Sequence, residues 1–376
     1  MNSFSDLGLL PSLLKSLKAQ KLQRPTEIQS QAIPLMMSGQ SVVGISETGS
    51  GKTLAYALPL LQKLKTLEDE GQPVTAEGNP RAIVMVPTRE LGEQVSKVFK
   101  TLTHDTRLRV RTALGGMAME QARRNTAGKF EILLATPGRL TQLMDLELID
   151  LSDVRMLVFD EADQMMDQGF LPDFNKIYYA CPKDIQMALF SATISTAVQE
   201  MINDLFKDAE VVRTQGSGKV VSSLVTKNLK VVDGKRWPLF EKLLSQPVNG
   251  GTIIFTNTRE QCDKLAAEMT KKGIECAVYR GEMDKNERRS NLKKFRDGKI
   301  SLLISTDLAG RGLDMDNISR VINFHLPKQM DNYLHRVGRT ARAGRKGLVF
   351  NLVTERDERL ITQLSKPKKS DQKAKR

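Results

Sequence analysis

Between residues 46 and 53 the chain reads Ser46-Glu47-Thr48-Gly49-Ser50-Gly51-Lys52-Thr53. Glycines there let the backbone wrap closely around phosphate oxygens, with N–H groups turned inward where a helix begins. Lys52 has the reach for β- and γ-phosphates, and the Thr53 hydroxyl can ligate Mg2+. Ser46 stands where the general pattern has its first Gly, a place that a small residue can fill. A plain Gly/Ser turn entering a helix would read the same as far as Gly51. The Lys-Thr pair, with an apolar run before it and a helical pattern over 54–64, selects the phosphate site. Farther along, Asp160-Glu161-Ala162-Asp163 follows the apolar run 156–159. Asp160 can hold Mg2+ through water, and Glu161 can position an attacking water or accept its proton. Alone, such acids would suit any helix N-terminus; together with the phosphate loop they describe a hydrolytic centre.

These groups need rigid elements to hold them. Apolar runs rich in Val, Ile and Leu recur at 41–45, 82–86, 131–135, 156–159 and 187–190, then at 252–255, 276–279, 302–305, 321–324 and 348–353. Each is followed by a helical pattern, the signature of parallel strands buried on both faces. Two such series predict two tandem α/β domains, each a mostly parallel sheet flanked by helices. The expected boundaries are a first domain over 1–212, a linker over 213–222, a second domain over 223–364 and a basic tail over 365–376. Leu10, Leu13, Leu14 and Leu17 fall at helical spacing and predict a first helix with a core-facing stripe.

Composition narrows the class. Of 376 residues, 40% are hydrophobic and 27% charged, which is ordinary for folded domains and unlike disordered chains. No run approaches the ~18 apolar residues of a membrane span, and no signal peptide is expected. Three cysteines without C-x-x-C spacing suit reduced thiols and a cytoplasmic location. The net charge of +13 is uneven: residues 1–212 hold 22 Lys/Arg against 26 Asp/Glu, and 213–376 hold 35 against 18. A basic second half points to nucleic acid or an anionic membrane.

Asp160-Glu161-Ala162-Asp163 spells DEAD, and over about residues 4–353 the chain resembles the DEAD-box ATP-dependent RNA helicases of superfamily 2 in their minimal two-domain form. The resemblance implies two RecA-like domains and ATP with Mg2+ as cofactors. Pro25-Thr26-Glu27-Ile28-Gln29 resembles the family's Q motif, with Phe4 at the expected distance upstream. An amide at Gln29 can bond N6 and N7 of adenine, which favours ATP over GTP. Where the family has Gly and an aromatic residue, this chain has Lys21 and Leu22, and Leu22 offers apolar surface to the base without a ring. His335-Arg336-Val337-Gly338-Arg339-Thr340-Ala341-Arg342 resembles the motif that closes over the γ-phosphate, so Arg339 and Arg342 are implied as arginine fingers. In the stretch 306–314, Gly312 and Asp314 are implied on the nucleotide side, Asp314 at the ribose, and Arg311 opposite the acidic cluster. Ser191-Ala192-Thr193 resembles the motif that links the nucleotide site to unwinding. Its hydroxyls can bond Asp163 or His335, or cap a helix.

The resemblance also implies an RNA track. In the first domain it runs over Pro87, Arg89, Gly115, Gly116, Thr136, Gly138 and Arg139; in the second, over Thr258, Arg259, Gly281, Arg288 and Thr306. Arg280 and Lys285 replace a common His and Gln, adding positive charge near it. With only 5% aromatics and no basic-aromatic interleaving, recognition through phosphates and 2′-hydroxyls is expected, tolerant of sequence. The expected activity is RNA-dependent ATP hydrolysis with local unwinding of short duplexes or remodelling of RNA–protein complexes. An ATP-gated RNA clamp and a DNA helicase remain as alternatives. The Lys-rich tail reads equally as a solvated end or an auxiliary RNA tether.

Overall fold

Apolar runs of four to six residues are too short to bury themselves and do so by pairing side by side. The computed structural model describes residues 3–214, 224–307, 317–340 and 347–365. The chain divides into two compact units, Met1–Gly218 and Lys219–Arg376.

The first unit holds β1 (Val42–Ile45), β2 (Ala82–Met85), β3 (Val110–Ala113), β4 (Ile132–Ala135), β5 (Met156–Asp160), β6 (Gln186–Ser191) and β7 (Glu210–Arg213). They form a seven-stranded sheet in the order β3-β4-β2-β5-β6-β1-β7, and each described pairing is parallel. The second unit holds β8 (Leu224–Lys230), β9 (Gly251–Thr256), β10 (Ala277–Tyr279), β11 (Leu302–Thr306), β12 (Ile318–Asn323) and β13 (Gly347–Val353). Its six strands run β10-β11-β9-β12-β13-β8, again in parallel.

Each sheet is covered on both faces. In the first unit one hydrophobic cluster gathers Val42, Val84, Val158 and Phe190, and another gathers their strand neighbours Val43, Ile83, Leu157 and Leu189. That alternation is the two-residue period of a strand dividing its side chains between two layers of helices. The helix Pro11–Ala19 turns Leu13 and Leu17 into the first cluster, with Leu10 and Leu14 packed beside it. The second unit repeats the pattern with two clusters of its own.

Among the described strands three lack the continuous apolar signature, and all three are sheet edges. β3, β7 and β8 read Val-Arg-Thr-Ala, Glu-Val-Val-Arg and Leu-Val-Thr-Lys-Asn-Leu-Lys and are largely exposed or half-buried. An edge has one flank open, and polar or charged side chains there discourage pairing with other chains. Arg213, expected to open the linker, is the last residue of β7. No helix among the described residues is long and apolar enough to cross a membrane.

Candidate nucleotide and nucleic-acid site

The phosphate loop leaves β1 at Ile45 and enters the helix Lys52–Asp69. Gly51, its N-cap, sits at φ +91, and a Cβ there would lie 2.3 Å from the Gln29 Nε2, so both backbone and space require glycine. The buried Lys52 ammonium donates to the carbonyls of Ser46 (2.7 Å) and Glu47 (3.0 Å). Its charge thus lies inside the curve of the loop, where anionic oxygens would meet it. Ser46, in the place of the pattern's Gly, accepts from Thr214 Oγ1 at 2.9 Å and ties the loop to the residue just past β7. Thr48, Gly49 and Ser50 form the exposed or half-buried turn, with Gly49 at φ 83. Thr53 begins the helix half-buried beside Lys52.

Across the sheet, β5 delivers Asp160 and Glu161, both buried. Burial, with the Glu161 charge adding, lifts the Asp160 carboxyl to about 6, partly offset by the Lys52 charge and a hydrogen bond from Tyr56. Glu161 holds φ 54, a left-handed conformation in which a residue with a side chain is held at a cost of about 1–3 kcal/mol. Its Oε2 is buried without a hydrogen-bond partner. Two adjacent buried carboxylates, one of them an orphaned acceptor, with the Thr53 hydroxyl bonded to the same Tyr56 that donates to Asp160, make an oxygen donor set with the hardness Mg2+ needs. Among the described residues no cluster of three or more His, Cys, Asp or Glu could hold a metal ion.

Tyr56 escaped the sequence reading. Fully buried one helical turn after Lys52, it donates its hydroxyl to Asp160 Oδ2 at 2.8 Å and orients that carboxylate. The available signal was a tyrosine on an apolar helix face, whose hydroxyl must find a partner when buried.

Asp163 joins β5 to β6. Its backbone N–H donates to Ser191 Oγ at 3.2 Å, and its Oδ2 accepts from both the N–H and Oγ1 of Thr193 at 2.9 Å. Of the three uses expected for these hydroxyls, the bond to Asp163 is the one described; the cap of the next helix is Ser195.

Gln29 is buried, its Oε1 accepting from Thr26 N–H and its Nε2 donating to Gly51 O, both at 2.9 Å. Each end of the amide keeps one further bonding position, enough for an acceptor–donor pair on a base edge. Phe4 packs in the first hydrophobic cluster, whereas Leu22 stays 37% exposed.

The Lys21 departure is a matter of backbone. Lys21 lies at φ 60, and the N–H groups of Lys21 and Leu22 donate to Lys18 O and Leu17 O. This Schellman termination of the first helix places a left-handed residue where Gly is at ease. Lys21→Gly is therefore expected to raise stability by about 0.5–1 kcal/mol, measured as a higher denaturant midpoint at unchanged slope. A lower midpoint would sink this account of the position.

The track residues gather at strand ends and helix starts. Pro87 is buried after β2, and Thr88 caps the helix Arg89–Thr103. Gly115 N–H donates to Thr136 Oγ1 at 2.9 Å, with Gly116 exposed beside it, and Arg89 pairs with Glu93 at 2.8 Å. Arg139, behind the half-buried Gly138, donates to Met117 O at 2.5 Å. In the second unit Thr258 caps the helix Arg259–Lys271, Arg259 pairs with Glu282 next to the half-buried Gly281, and Arg288 stacks 4.6 Å over the Tyr279 ring. Arg280 is committed to Asp263 at 2.7 Å, so its added charge is largely balanced. Thr306 is buried at the end of β11.

His335 and Arg339 are buried at the end of the helix Met330–Val337, and Arg339 Nε donates to His335 O at 3.1 Å. Arg336 between them, unassigned by the sequence reading, is 1% exposed. It reaches Asp307, Asn323 Oδ1, His325 O and Asn257 Oδ1, and lies 5.2 Å over the Phe255 ring. One guanidinium thus fastens the ends of β9, β11 and β12 to the helix that carries His335 and Arg339. Arg311, Gly312, Asp314 and Arg342 lie outside the described residues, as does the Lys285 side chain.

Comparison with known proteins agrees with this geometry. The DEAD/DEAH box helicase family matches residues 26–202, and the helicase conserved C-terminal domain matches 235–344. The ATP-dependent RNA helicase SrmB of Escherichia coli is 37% identical over 363 residues, covering 96% of this chain and 81% of that protein. The RNA helicase CrhR of Synechocystis is 33% identical over 361 residues, covering 96% and 71%. Among solved structures, that of S. cerevisiae Dbp5 bound to RNA and ADP BeF3 superposes with a TM-score of 0.84 at 29% identity, covering 96% of this chain and 92% of that one. Two parallel sheets, a phosphate loop facing a DEAD strand end and relatives matched along nearly the whole chain lead to one statement: the chain belongs to the DEAD-box ATP-dependent RNA helicase family.

Proposed function

We propose that the chain is an RNA-dependent ATPase that binds Mg2+ and ATP in its first unit and uses hydrolysis to unwind short RNA duplexes or remodel RNA–protein complexes. The observation that carries this reading is the Lys52 charge acting on the buried Asp160, beside a Glu161 whose Oε2 is buried and unpartnered. The loop N–H groups and Lys52 hold the β- and γ-phosphates, Gln29 reads the adenine edge, and Leu22 covers the base. Thr53 and Asp160 hold Mg2+, which supplies charge neutralisation at the phosphates when bound. Glu161 orients the water and takes its proton. Arg339 and Arg342 supply the positive charge that stabilises the transferring group once the two units close, with Gly312 and Asp314 at the nucleotide. Asp163, Ser191 and Thr193, with His335 and Arg311, relay closure to RNA.

The track residues of both units contact RNA through its backbone, so sequence preference is weak. One closure can separate only a few base steps, each worth roughly 1.4 kcal/mol by the DNA value. The test is phosphate release with and without single-stranded RNA, alongside strand displacement on duplexes of graded length. RNA should stimulate turnover, and displacement should fall steeply with length. Equal stimulation by DNA, or undiminished displacement of long blunt duplexes, would overturn the proposal. ATP-locked RNA binding with no displacement would leave a clamp.

A further inference from the structure

The strand orders of the two sheets correspond term by term: β10-β11-β9-β12-β13-β8 repeats β3-β4-β2-β5-β6-β1. β8 is thus the second unit's counterpart of β1, β12 of β5, and β13 of β6. In doubly wound sheets the ligand crevice opens beyond the carboxyl ends of strands, where the winding reverses. In the first unit those three ends deliver the phosphate loop, the Asp160–Glu161 pair and Ser191–Thr193. In the second they lead to Arg236, His325 and Thr354, and these three line a cavity of about 580 Å³.

Its chemistry differs in one decisive respect. Where β5 ends in Asp160 and is followed by Glu161, β12 is followed by Phe324 and His325. Lys328, Arg356 and Arg359 join Arg236 in the lining, against the single carboxylate of Asp357. That carboxylate accepts from Thr354 N–H at 2.8 Å and Thr354 Oγ1 at 2.6 Å, and its charge offsets part of that of Arg236, so four cations against one anion leave the lining net positive. Arg236 Nε and His325 Nδ1 are buried with no hydrogen-bond partner. Desolvation lowers the Arg236 pKa, and it brings His325 down to about 4 with help from the charges of Arg236 and Arg336, so the imidazole is neutral at physiological pH. A buried donor left without a partner costs about 1–3 kcal/mol, which a ligand that accepts from it would recover. The volume falls within the ~300–1,000 Å³ of small-molecule sites.

We propose that this pocket of the second unit binds a small phosphorylated anion, either inorganic pyrophosphate or the phosphates of a free nucleotide. It lacks the carboxylate pair of the first unit's site, so it binds without hydrolysing. The site goes beyond the ATPase activity proposed above and does not depend on it.

Trp237, adjacent to Arg236 and the chain's single tryptophan, gives a local probe. The full chain carrying Lys52→Ala, which weakens the first unit's loop, is titrated with inorganic pyrophosphate at constant ionic strength. Tryptophan fluorescence and equilibrium dialysis of labelled pyrophosphate are both followed. The expected result is saturable binding that Arg236→Gln weakens about 10–100-fold, the worth of a charge-assisted hydrogen bond, and that Arg236→Lys partly restores. Thermal unfolding of each variant checks that it folds, and Arg236→Lys decides the matter if Arg236→Gln does not. Tighter binding of ATP than of pyrophosphate would identify a nucleotide ligand; equal binding would identify the phosphates alone. No saturable binding by either method, or binding that neither Arg236 variant weakens, would overturn the site. A response to single-stranded RNA but not to pyrophosphate would assign the cavity to the nucleic-acid track and overturn it equally.

Discussion

Glu161→Gln is expected to lower ATP turnover about 10²–10⁴-fold, the usual worth of a positioned general base, while nucleotide affinity changes only a few-fold. The side chain is buried, its backbone is held at φ 54, and Oε2 has no partner to lose. Glutamine has the same length and tolerates the same backbone, so the replacement removes the proposed proton acceptor and the charge but little packing. Stability should hold or rise, because a buried carboxylate gives way to a neutral amide. Steady-state phosphate release at saturating RNA, together with a fluorescent-nucleotide titration, separates the two effects. Turnover within tenfold of the parent would remove Glu161 from the proton-accepting role.

Asp160→Asn should do two opposite things. Burial and the neighbouring Glu161 raise the Asp160 carboxyl to about 6, above the roughly 3.9 of an unfolded aspartate. The folded chain then binds this proton more tightly than the unfolded chain does. The stabilising contribution is full below about pH 4 and is lost as pH rises through 6. At pH 7.5 the buried charge is therefore a burden of about 2–3 kcal/mol on the nucleotide-free protein. Asparagine removes that burden and still offers Tyr56 an oxygen to donate to. The variant should unfold at a higher temperature than the parent at pH 7.5, with the difference shrinking towards pH 4. Mg2+ should no longer strengthen its nucleotide binding, and turnover should fall below detection. A lower unfolding temperature at pH 7.5 would show that the carboxylate is structurally needed and would overturn the trade of stability for metal binding.

What could be read in advance follows from how far each signal lies along the chain. Lys52-Thr53 and Asp160-Glu161 were legible because a loop and a strand end each carry their own chemistry within a few residues. Central strands such as β5 and β9 were legible because burial on both faces demands an unbroken apolar run. β3, β7 and β8 were not, since an edge strand shares one flank with solvent and its composition records that. Tyr56 and Asp160 lie 104 positions apart, and Arg336 and Asn257 lie 79 apart. Nothing local announces that such partners will meet. The strain at Lys21 was only partly legible: the family's Gly marks the position, but only the helix termination above it dictates a left-handed backbone.

The edge position of β8 has a bearing on how the protein is made. Among the described residues β8 is bonded along its whole length to β13 alone, with Asn228 and Asn351 facing each other 123 positions apart. A ribosome adding about 5–20 residues per second would leave β8 without its partner for roughly 6–25 s. Through that interval the second unit's first strand is an open template for other nascent chains. Its Lys227, Asn228 and Lys230, which contribute little to the finished core, are suited to keeping it soluble until β13 emerges.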